Sequence, residues 1–174
     1  MASTATLVSL EEYLHTTYRP DRDFLEGELL ERNMGELPHG RLQLIIGNIF
    51  ENRRKQWNTR TSTELRVQVR PERFRIPDIT VQRRSDPQDL IVRIPPLLCI
   101  EIFSSADTIR EIQKRVNDYS AMGVENIWAV DPWKRLGYCA SPRGFLQPDD
   151  GVLRVPGTPI EISLAEVFAE LDED

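Results

Sequence analysis

The spacing of polar and apolar residues near the start of the chain predicts a short helix followed by a strand pair. Ser9 and Glu12 have the Ser-x-x-Glu spacing of a capping box, so we predict a helix through about Thr16. Residues 22–33 are divided by Gly27. This pattern indicates either two short strands or one bent strand.

A long helix is predicted from Pro38 onward. Its apolar residues recur at spacings that place them on one helical face. They are Leu42, Ile45, Ile46, Ile49, Phe50 and Trp57. We therefore expect an amphipathic helix that covers a sheet.

Three strand candidates follow this helix. Residues 65–70 alternate between apolar and polar side chains, which is the pattern of a half-buried strand, and residues 71–73 suit a turn. Residues 79–82 alternate in the same way. The run 97–103 is apolar with almost no alternation, which indicates a central strand covered on both faces.

A second long helix is predicted from Ser104 to Met122, with Gly123 as its C-terminal cap. A further buried strand is expected from Val124 to Val130. The residues that we place on the buried stripe of this helix are Ile109, Ile112, Val116 and Tyr119.

The remainder of the chain predicts small hairpins over residues 135–162. Ser163 and Glu166 form another capping box, which opens a final helix through about Leu171. The element order predicts an α/β (α+β) fold with a central mixed β-sheet flanked by helices on both faces. Because 174 residues suit one domain, we expect a single domain over residues 1–174.

The charge of the chain is unevenly distributed. The formal net charge is −6, which argues against broad affinity for nucleic acid. Residues 41–84, however, hold eleven Lys and Arg against four Asp and Glu, and the last fourteen residues hold six acidic side chains and no Lys or Arg. This segregation permits a local positive face. The alternative is an ordinary solvated surface.

No apolar run is long enough to span a bilayer, and the N-terminus lacks the basic region and apolar core of a secretory signal. We therefore expect a cytoplasmic protein with no membrane partner. In that compartment Cys99 and Cys139 are not expected to form a disulfide. No Cys/His cluster has the spacing of a zinc site.

Two carboxylates stand out as candidates for chemistry. Glu101 interrupts the most apolar run of the chain, where a buried carboxylate is unfavourable unless a partner or a cation offsets it. Asp78 follows Pro77 near the start of the preceding strand. If these strands are neighbours, the two side chains can share one hard divalent cation, Mg²⁺ or Mn²⁺. The alternative for Glu101 is a structural ion pair with an arginine.

Several stretches, in this order, resemble the PD-(D/E)XK nuclease superfamily and, within it, the Uma family of putative restriction endonucleases. The similarity runs from about residue 8 to about residue 170. It rests on Glu26-Gly27-Glu28-Leu29, Pro38-His39-Gly40, Pro77-Asp78, Glu101-Ile102-Phe103-Ser104, Tyr119, Met122-Gly123-Val124 and Trp128-Ala129-Val130-Asp131-Pro132. The resemblance implies a restriction-endonuclease-like fold and metal-assisted hydrolysis of DNA phosphodiester bonds.

The resemblance also implies roles for single residues. It implies that Asp78 and Glu101 bind the metal and that Glu28 and His39 lie in the pocket near it. His39 could contact a phosphate or orient a water molecule. The simpler alternatives are that His39 caps the first turn of its helix and that Glu28 is an exposed hairpin charge.

The chain departs from the superfamily pattern at its cationic position. A contiguous Glu-x-Lys motif would require lysine at position 103, where Phe103 stands. In the family the cation instead comes from the following helix, four residues before the tyrosine, and that position is Arg115 here. A helical wheel places Arg115 at the edge of the stripe that includes Tyr119 and places Lys114 on the far side.

Three functions remain open from the sequence. The first is a Mg²⁺-dependent DNA endonuclease, and the second is a degenerate homologue that acts as a nucleic-acid-binding or assembly subunit. A small-molecule enzyme that uses the same carboxylates is the third, although no glycine-rich phosphate loop supports it. DNA is the expected partner, and assembly into a homodimer is left open.

Overall fold

The computed structural model describes residues 7–33 and 35–173. The helices are α1 (Leu10–His15), α2 (Leu37–Trp57), α3 (Ile109–Met122) and α4 (Leu164–Asp172). The strands are β1 (Asp23–Leu25), β2 (Glu28–Leu30), β3 (Thr59–Thr63), β4 (Val67–Arg70), β5 (Arg73–Arg75), β6 (Ile79–Arg83), β7 (Leu98–Ile102), β8 (Ile127–Asp131), β9 (Leu136–Ser141), β10 (Gly144–Leu146), β11 (Val152–Arg154) and β12 (Glu161–Ser163).

A six-stranded mixed sheet forms the centre of the fold, in the order β10-β9-β8-β7-β6-β3. The central strand β7 runs parallel to β8 and antiparallel to β6. All five residues of β7 are buried, as expected for the apolar run without alternation. The predicted α/β class with a central mixed sheet is therefore confirmed.

Helices cover both faces of this sheet. On one face a core cluster that includes Phe50 of α2, Trp128 of β8 and Phe168 of α4 is buried. On the other face Ile112 and Val116 of α3 are completely buried. The free energy gained by removing these apolar side chains from water holds the helices against the sheet.

A second, four-stranded antiparallel sheet has the order β2-β1-β5-β4. A buried ion-pair cluster links it to α3, since Arg75 Nη1 lies 2.8 Å from Asp23 Oδ2 and Arg75 Nε lies 2.7 Å from Asp118 Oδ2. This cluster joins the β1-β5 strand pair to α3 at Asp118. It thereby positions the loop after β2 at the site described below.

Most helix ends agree with the capping signals. Ser9 and Ser163 accept hydrogen bonds from the backbone of Glu12 and Glu166, and Gly123 ends α3 in a left-handed conformation with φ 106°. The strand pair over residues 22–33 and the late hairpins are also present. Local hydrogen bonds set these boundaries, which explains why local sequence predicts them.

The predicted start of α3 is wrong. The helix begins at Ile109, with Thr108 as its N-cap, and not at Ser104. Asp107 Oδ2 accepts hydrogen bonds from the backbone N–H and the hydroxyl of Ser104, which closes a turn there instead. Ile109 consequently lies in the first turn with 57% of its surface exposed and does not belong to the buried stripe.

Two strands are not predicted from the sequence, and two others begin later than expected, since β4 begins at Val67 rather than at Leu65. The Thr-rich strand β3 has no apolar alternation, and it forms because it pairs along its whole length with β6. Strand β5 includes Arg73, for which the sequence predicts a turn. Strand β8 begins at Ile127 rather than at Val124.

The structure also describes the two cysteines and the apolar character of the helices. Cys99 is buried, Cys139 is half-buried, and both are free thiols. Among residues 7–33 and 35–173, no helix has both the length and the apolar character needed to cross a membrane.

Candidate metal centre

The antiparallel pairing of β6 with β7 brings the two candidate carboxylates together. Ile79 lies opposite Ile100 in the register, and extending this register by one residue sets Asp78 opposite Glu101. Both side chains are buried, with 1% and 0% of the surface exposed. The predicted adjacency of the two strands is therefore confirmed.

Asp78 accepts hydrogen bonds from three directions. Its Oδ2 accepts the backbone N–H of Ile102 at 2.7 Å. Its Oδ1 lies 2.6 Å from Arg32 Nη2 and 3.3 Å from His39 Nε2. Burial disfavours the charged form, but the hydrogen bond from His39 and the positive charge of Arg32 outweigh it and lower the pKa of Asp78. Asp78 is therefore an ionised buried carboxylate.

The carboxylate of Glu101 contacts two side chains of α3. Its Oε2 accepts a hydrogen bond from Arg115 Nη1 at 2.9 Å, and its Oε1 accepts one from the hydroxyl of Tyr119. Burial raises the pKa of Glu101 to about 7 against the charge of Arg115, and the negative charge of Asp78 adds to the rise. The arginine ion pair considered as an alternative for Glu101 is thus present.

His39 lies in the first turn of α2, directly after Pro38. The side chain turns toward Asp78, and 15% of it is exposed. Burial disfavours the imidazolium, but the hydrogen bond and the charge of Asp78 outweigh it and raise the pKa of His39. The structure therefore places His39 beside the candidate metal ligands, as the resemblance implies, while its role stays a prediction.

The positions of Arg115 and Lys114 agree with the helical wheel. Arg115 reaches Glu101, and Lys114 is exposed. Glu28 is an exposed residue of β2 and does not line the pocket beside Asp78. It lines a separate cavity of about 670 Å³ whose wall also includes Arg115. Its proposed part in the chemistry remains a prediction.

A polar cavity of about 220 Å³ opens next to Asp78. Sequence reasoning missed several residues that line it, because each is brought there by long-range contacts. Gln43 Nε2 donates to the backbone oxygen of Asp78 at 2.8 Å and to Glu64 Oε1 at 3.2 Å. Asp107 Oδ1 lies 3.8 Å from Arg115 Nη2. No local sequence signal distinguishes these residues from ordinary surface residues.

Arg32 is the most consequential of the missed residues. It follows β2, only 11% of its side chain is exposed, and its guanidinium pairs with both Asp78 and Glu64. The negative charges of these two partners outweigh burial and raise the pKa of Arg32. This guanidinium is therefore a permanent positive charge inside the pocket.

The chemistry of the donors fits a hard divalent cation. Within the described part of the chain, no group of three or more His, Cys, Asp or Glu side chains is arranged to hold a metal, so a cation here would use two carboxylates completed by water or substrate oxygens. Apart from the contact of His39 with Asp78, the ion pairs around the pocket join four carboxylates to two guanidinium groups. Arg32 pairs with Glu64 and Asp78, and Arg115 pairs with Glu101 and Asp107. With all four carboxylates ionised and His39 neutral, these groups carry an excess of two negative charges, which one divalent cation would balance. The raised pKa values of Glu101 and His39 both reduce this excess when no cation is bound.

Comparisons with known proteins agree with this fold. The chain is similar to the crystal structure of a putative nuclease belonging to DUF820 from Anabaena variabilis, with a TM-score of 0.80, 21% identity, and coverage of 94% of this chain and 99% of that chain. A DrdV–DNA complex solved by cryo-electron microscopy matches with a TM-score of 0.43 and 18% identity over 72% of this chain, which spans 10% of that chain. A comparison with curated proteins found no match.

The first of these similarities confirms the restriction-endonuclease-like fold expected from the motifs, and the second is too low to bear on fold or function. A profile of the Uma2 family, described as putative restriction endonucleases, matches residues 10–165. That span includes the hairpin, the long helix, both candidate carboxylates and the cationic helix α3. The protein therefore belongs to the Uma2 family of putative restriction endonucleases.

Proposed function

We propose that the protein is a Mg²⁺- or Mn²⁺-dependent endonuclease that hydrolyses phosphodiester bonds of DNA. The observation that carries the proposal is the placement of Asp78 and Glu101, two buried carboxylates at facing positions of adjacent strands. Asp78 and Arg115, the ion-pair partner of Glu101, line a small polar cavity there. The description of the Uma2 family supports DNA as the substrate.

In this proposal Asp78 and Glu101 hold the cation through their carboxylate oxygens. When bound, a divalent cation supplies Lewis-acid activation of the phosphate and makes a bound water molecule more acidic. The backbone N–H of Ile102 orients Asp78, while Arg115 and Tyr119 orient Glu101. Supporting contacts of this kind fix the ligand geometry of metal sites.

Arg115 stands where the resemblance to the family implies a lysine, and an arginine limits what this position can do. Burial opposes its charge, but Glu101 and other negative groups raise the pKa of Arg115 further above that of a free guanidinium. The side chain can therefore bind a phosphate in a forked geometry but cannot accept a proton from water. We assign Arg115 two roles, stabilisation of the negative charge of the phosphate and orientation of Glu101.

The test is a nicking assay on supercoiled plasmid in Mg²⁺ and in Mn²⁺, combined with calorimetric titration of Mn²⁺ into the metal-free protein. We expect the parent to nick DNA and to bind Mn²⁺, and Asp78→Asn to lose both properties. Asp89→Asn is the matched control because it removes an exposed aspartate from the loop after β6. Equal Mn²⁺ binding by Asp78→Asn and Asp89→Asn would contradict the proposal.

A second candidate function is supported by one observation. Asp78 and Glu101 are each paired with an arginine, and such ion pairs can stabilise a fold without any metal. A degenerate homologue that binds nucleic acid or assembles with another subunit would retain them for this reason. Absence of Mn²⁺ binding by the parent, together with metal-independent DNA binding, would favour this alternative.

A further inference from the structure

The guanidinium of Arg32 lines the polar cavity and contacts the candidate metal ligand Asp78. Its Nη2 is 2.6 Å from Asp78 Oδ1, and its Nη1 pairs with Glu64. Asp78 is almost fully buried, whereas 45% of the Glu64 side chain is exposed. One arginine thus bridges the inner candidate ligand and the outer rim of the cavity.

We infer that Arg32 is a binding residue for a backbone phosphate of the substrate, and that Asp78 occupies it while no cation is bound. The inference rests on the proposed function. A cation coordinated to Asp78 Oδ1 would compete with Arg32 Nη2 for the same oxygen and would repel its positive charge. Binding of the cation would therefore release one edge of the guanidinium for another anion.

Glu64 explains why the released arginine would stay in the pocket. It holds the second nitrogen of Arg32, and Gln43 in turn donates to Glu64 Oε1 at 3.2 Å. Glu64 also adopts a left-handed backbone conformation with φ 55°, which turns the chain immediately after β3. We assign Glu64 the part of a positioning residue that keeps Arg32 facing the cavity.

The size of the cavity points to a phosphate rather than a base as the ligand. Its volume of about 220 Å³ lies below the range of roughly 300–1,000 Å³ typical of pockets that enclose a whole small molecule. A phosphodiester group offers oxygens that a guanidinium can bind in a forked geometry. Contacts to the backbone position a nucleic acid without reading its sequence, so this site would act on DNA regardless of the base beside it.

The experiment compares Arg32→Gln with Arg22→Gln. Arg22 belongs to the segment before the same hairpin but makes an exposed ion pair with Glu31 at 2.9 Å, so it is a matched control for loss of one positive charge. Two quantities are measured on each variant: Mn²⁺ affinity of the metal-free protein by calorimetry, and affinity for a fluorescent DNA duplex in Ca²⁺ by anisotropy.

We expect the two affinities of Arg32→Gln to change in opposite directions. Mn²⁺ should bind about tenfold more tightly because the competing guanidinium is gone, and DNA should bind about tenfold or more weakly because the phosphate loses its partner. Arg22→Gln should change neither affinity to this extent. Glu64→Gln should weaken DNA binding less than Arg32→Gln does.

The inference is overturned if folded Arg32→Gln binds Mn²⁺ no more tightly than Arg22→Gln, or if the two variants bind DNA equally. If Arg32→Gln does not fold, Arg32→Lys is used instead. Its DNA affinity should still be reduced, because an ammonium group cannot make the paired hydrogen bonds that a guanidinium makes to a phosphate. The proposed function fails separately, if the parent binds no Mn²⁺ or if Asp78→Asn binds it equally well. If Mn²⁺ binds through Asp78 but Arg32→Gln changes neither the Mn²⁺ affinity nor the DNA affinity, the phosphate-binding role of Arg32 is refuted and the proposed function is not.

Discussion

Arg115 Nη1 lies 2.9 Å from Glu101 Oε2, and this contact joins α3 to the central strand β7. The same guanidinium, through Nη2, lies 3.8 Å from Oδ1 of Asp107, two residues before the start of α3. The contact is compatible with an ion pair that only stabilises the fold and with a metal ligand held in place by its neighbour. Experiments on both partners can separate these two functions.

Substitutions on α3 should distinguish its two adjacent cations. Arg115→Lys retains the positive charge and should keep or raise metal-dependent DNA cleavage, whereas Arg115→Ala should lower it by about tenfold or more. Lys114→Ala is the control and should change little, because Lys114 is exposed on the far side of the helix. Cleavage rates that fall for Lys114→Ala but not for Arg115→Ala would show that the cationic position is assigned to the wrong residue.

The stability of the metal-free protein should depend on Glu101 and pH in a defined direction. Its pKa is raised from 4.5 to about 7 in the folded state, so its contribution to the free energy of unfolding is fully present below pH 4.5 and is lost as the pH rises through about 7. The expected loss is on the order of a few kcal/mol.

Denaturant unfolding of the parent and of Glu101→Gln between pH 5 and about pH 8 checks this dependence. The variant carries no titrating group at this position, so its stability relative to the parent should increase with pH. A difference that stays constant or decreases over this range would mean that Glu101 is ionised throughout and acts as the partner of Arg115.

The protonation of His39 can be observed directly by NMR, because the chain contains only two histidines. Its pKa should lie above the ordinary value of 6.5, and Asp78→Asn should lower it because the hydrogen bond and the charge of Asp78 cause the rise. The corresponding stability is present below pH 6.5 and is lost as the pH rises through the folded-state pKa. His39→Gln assigns the resonance. An unchanged midpoint in Asp78→Asn would contradict the contact.

The buried cluster around Arg75 should be essential for stability. Arg75→Gln would leave Asp23 and Asp118 buried without their main counter-charge and should lower the free energy of unfolding by about 3–5 kcal/mol. Arg154→Gln is the matched control, because Arg154 pairs with acidic residues on the exposed surface and its loss should change stability little. Equal thermal melting of the two variants would contradict this expectation.

Local sequence was sufficient for much of the fold. The capping residues Ser9 and Ser163, the C-terminal Gly123 and the apolar run of β7 all act through neighbours within a few positions, so their patterns are visible without a structure. Strand β3 could not be predicted, because it depends on a contact with a distant segment. Its Thr-rich sequence has no strand pattern, and its conformation is stabilised by pairing with β6.

The choice of Asp78 and Glu101 as candidates and the orientation of Arg115 could also be predicted from the sequence. Glu101 stands out within an apolar strand, and Arg115 follows it by 14 positions on the next helix, so a helical wheel is enough to orient it. The pairing of Arg32 with Asp78, 46 positions away, and with Glu64, 32 positions away, became visible only in the folded structure. Such ion pairs depend on how distant strands and helices pack, and no local pattern of residues encodes that arrangement.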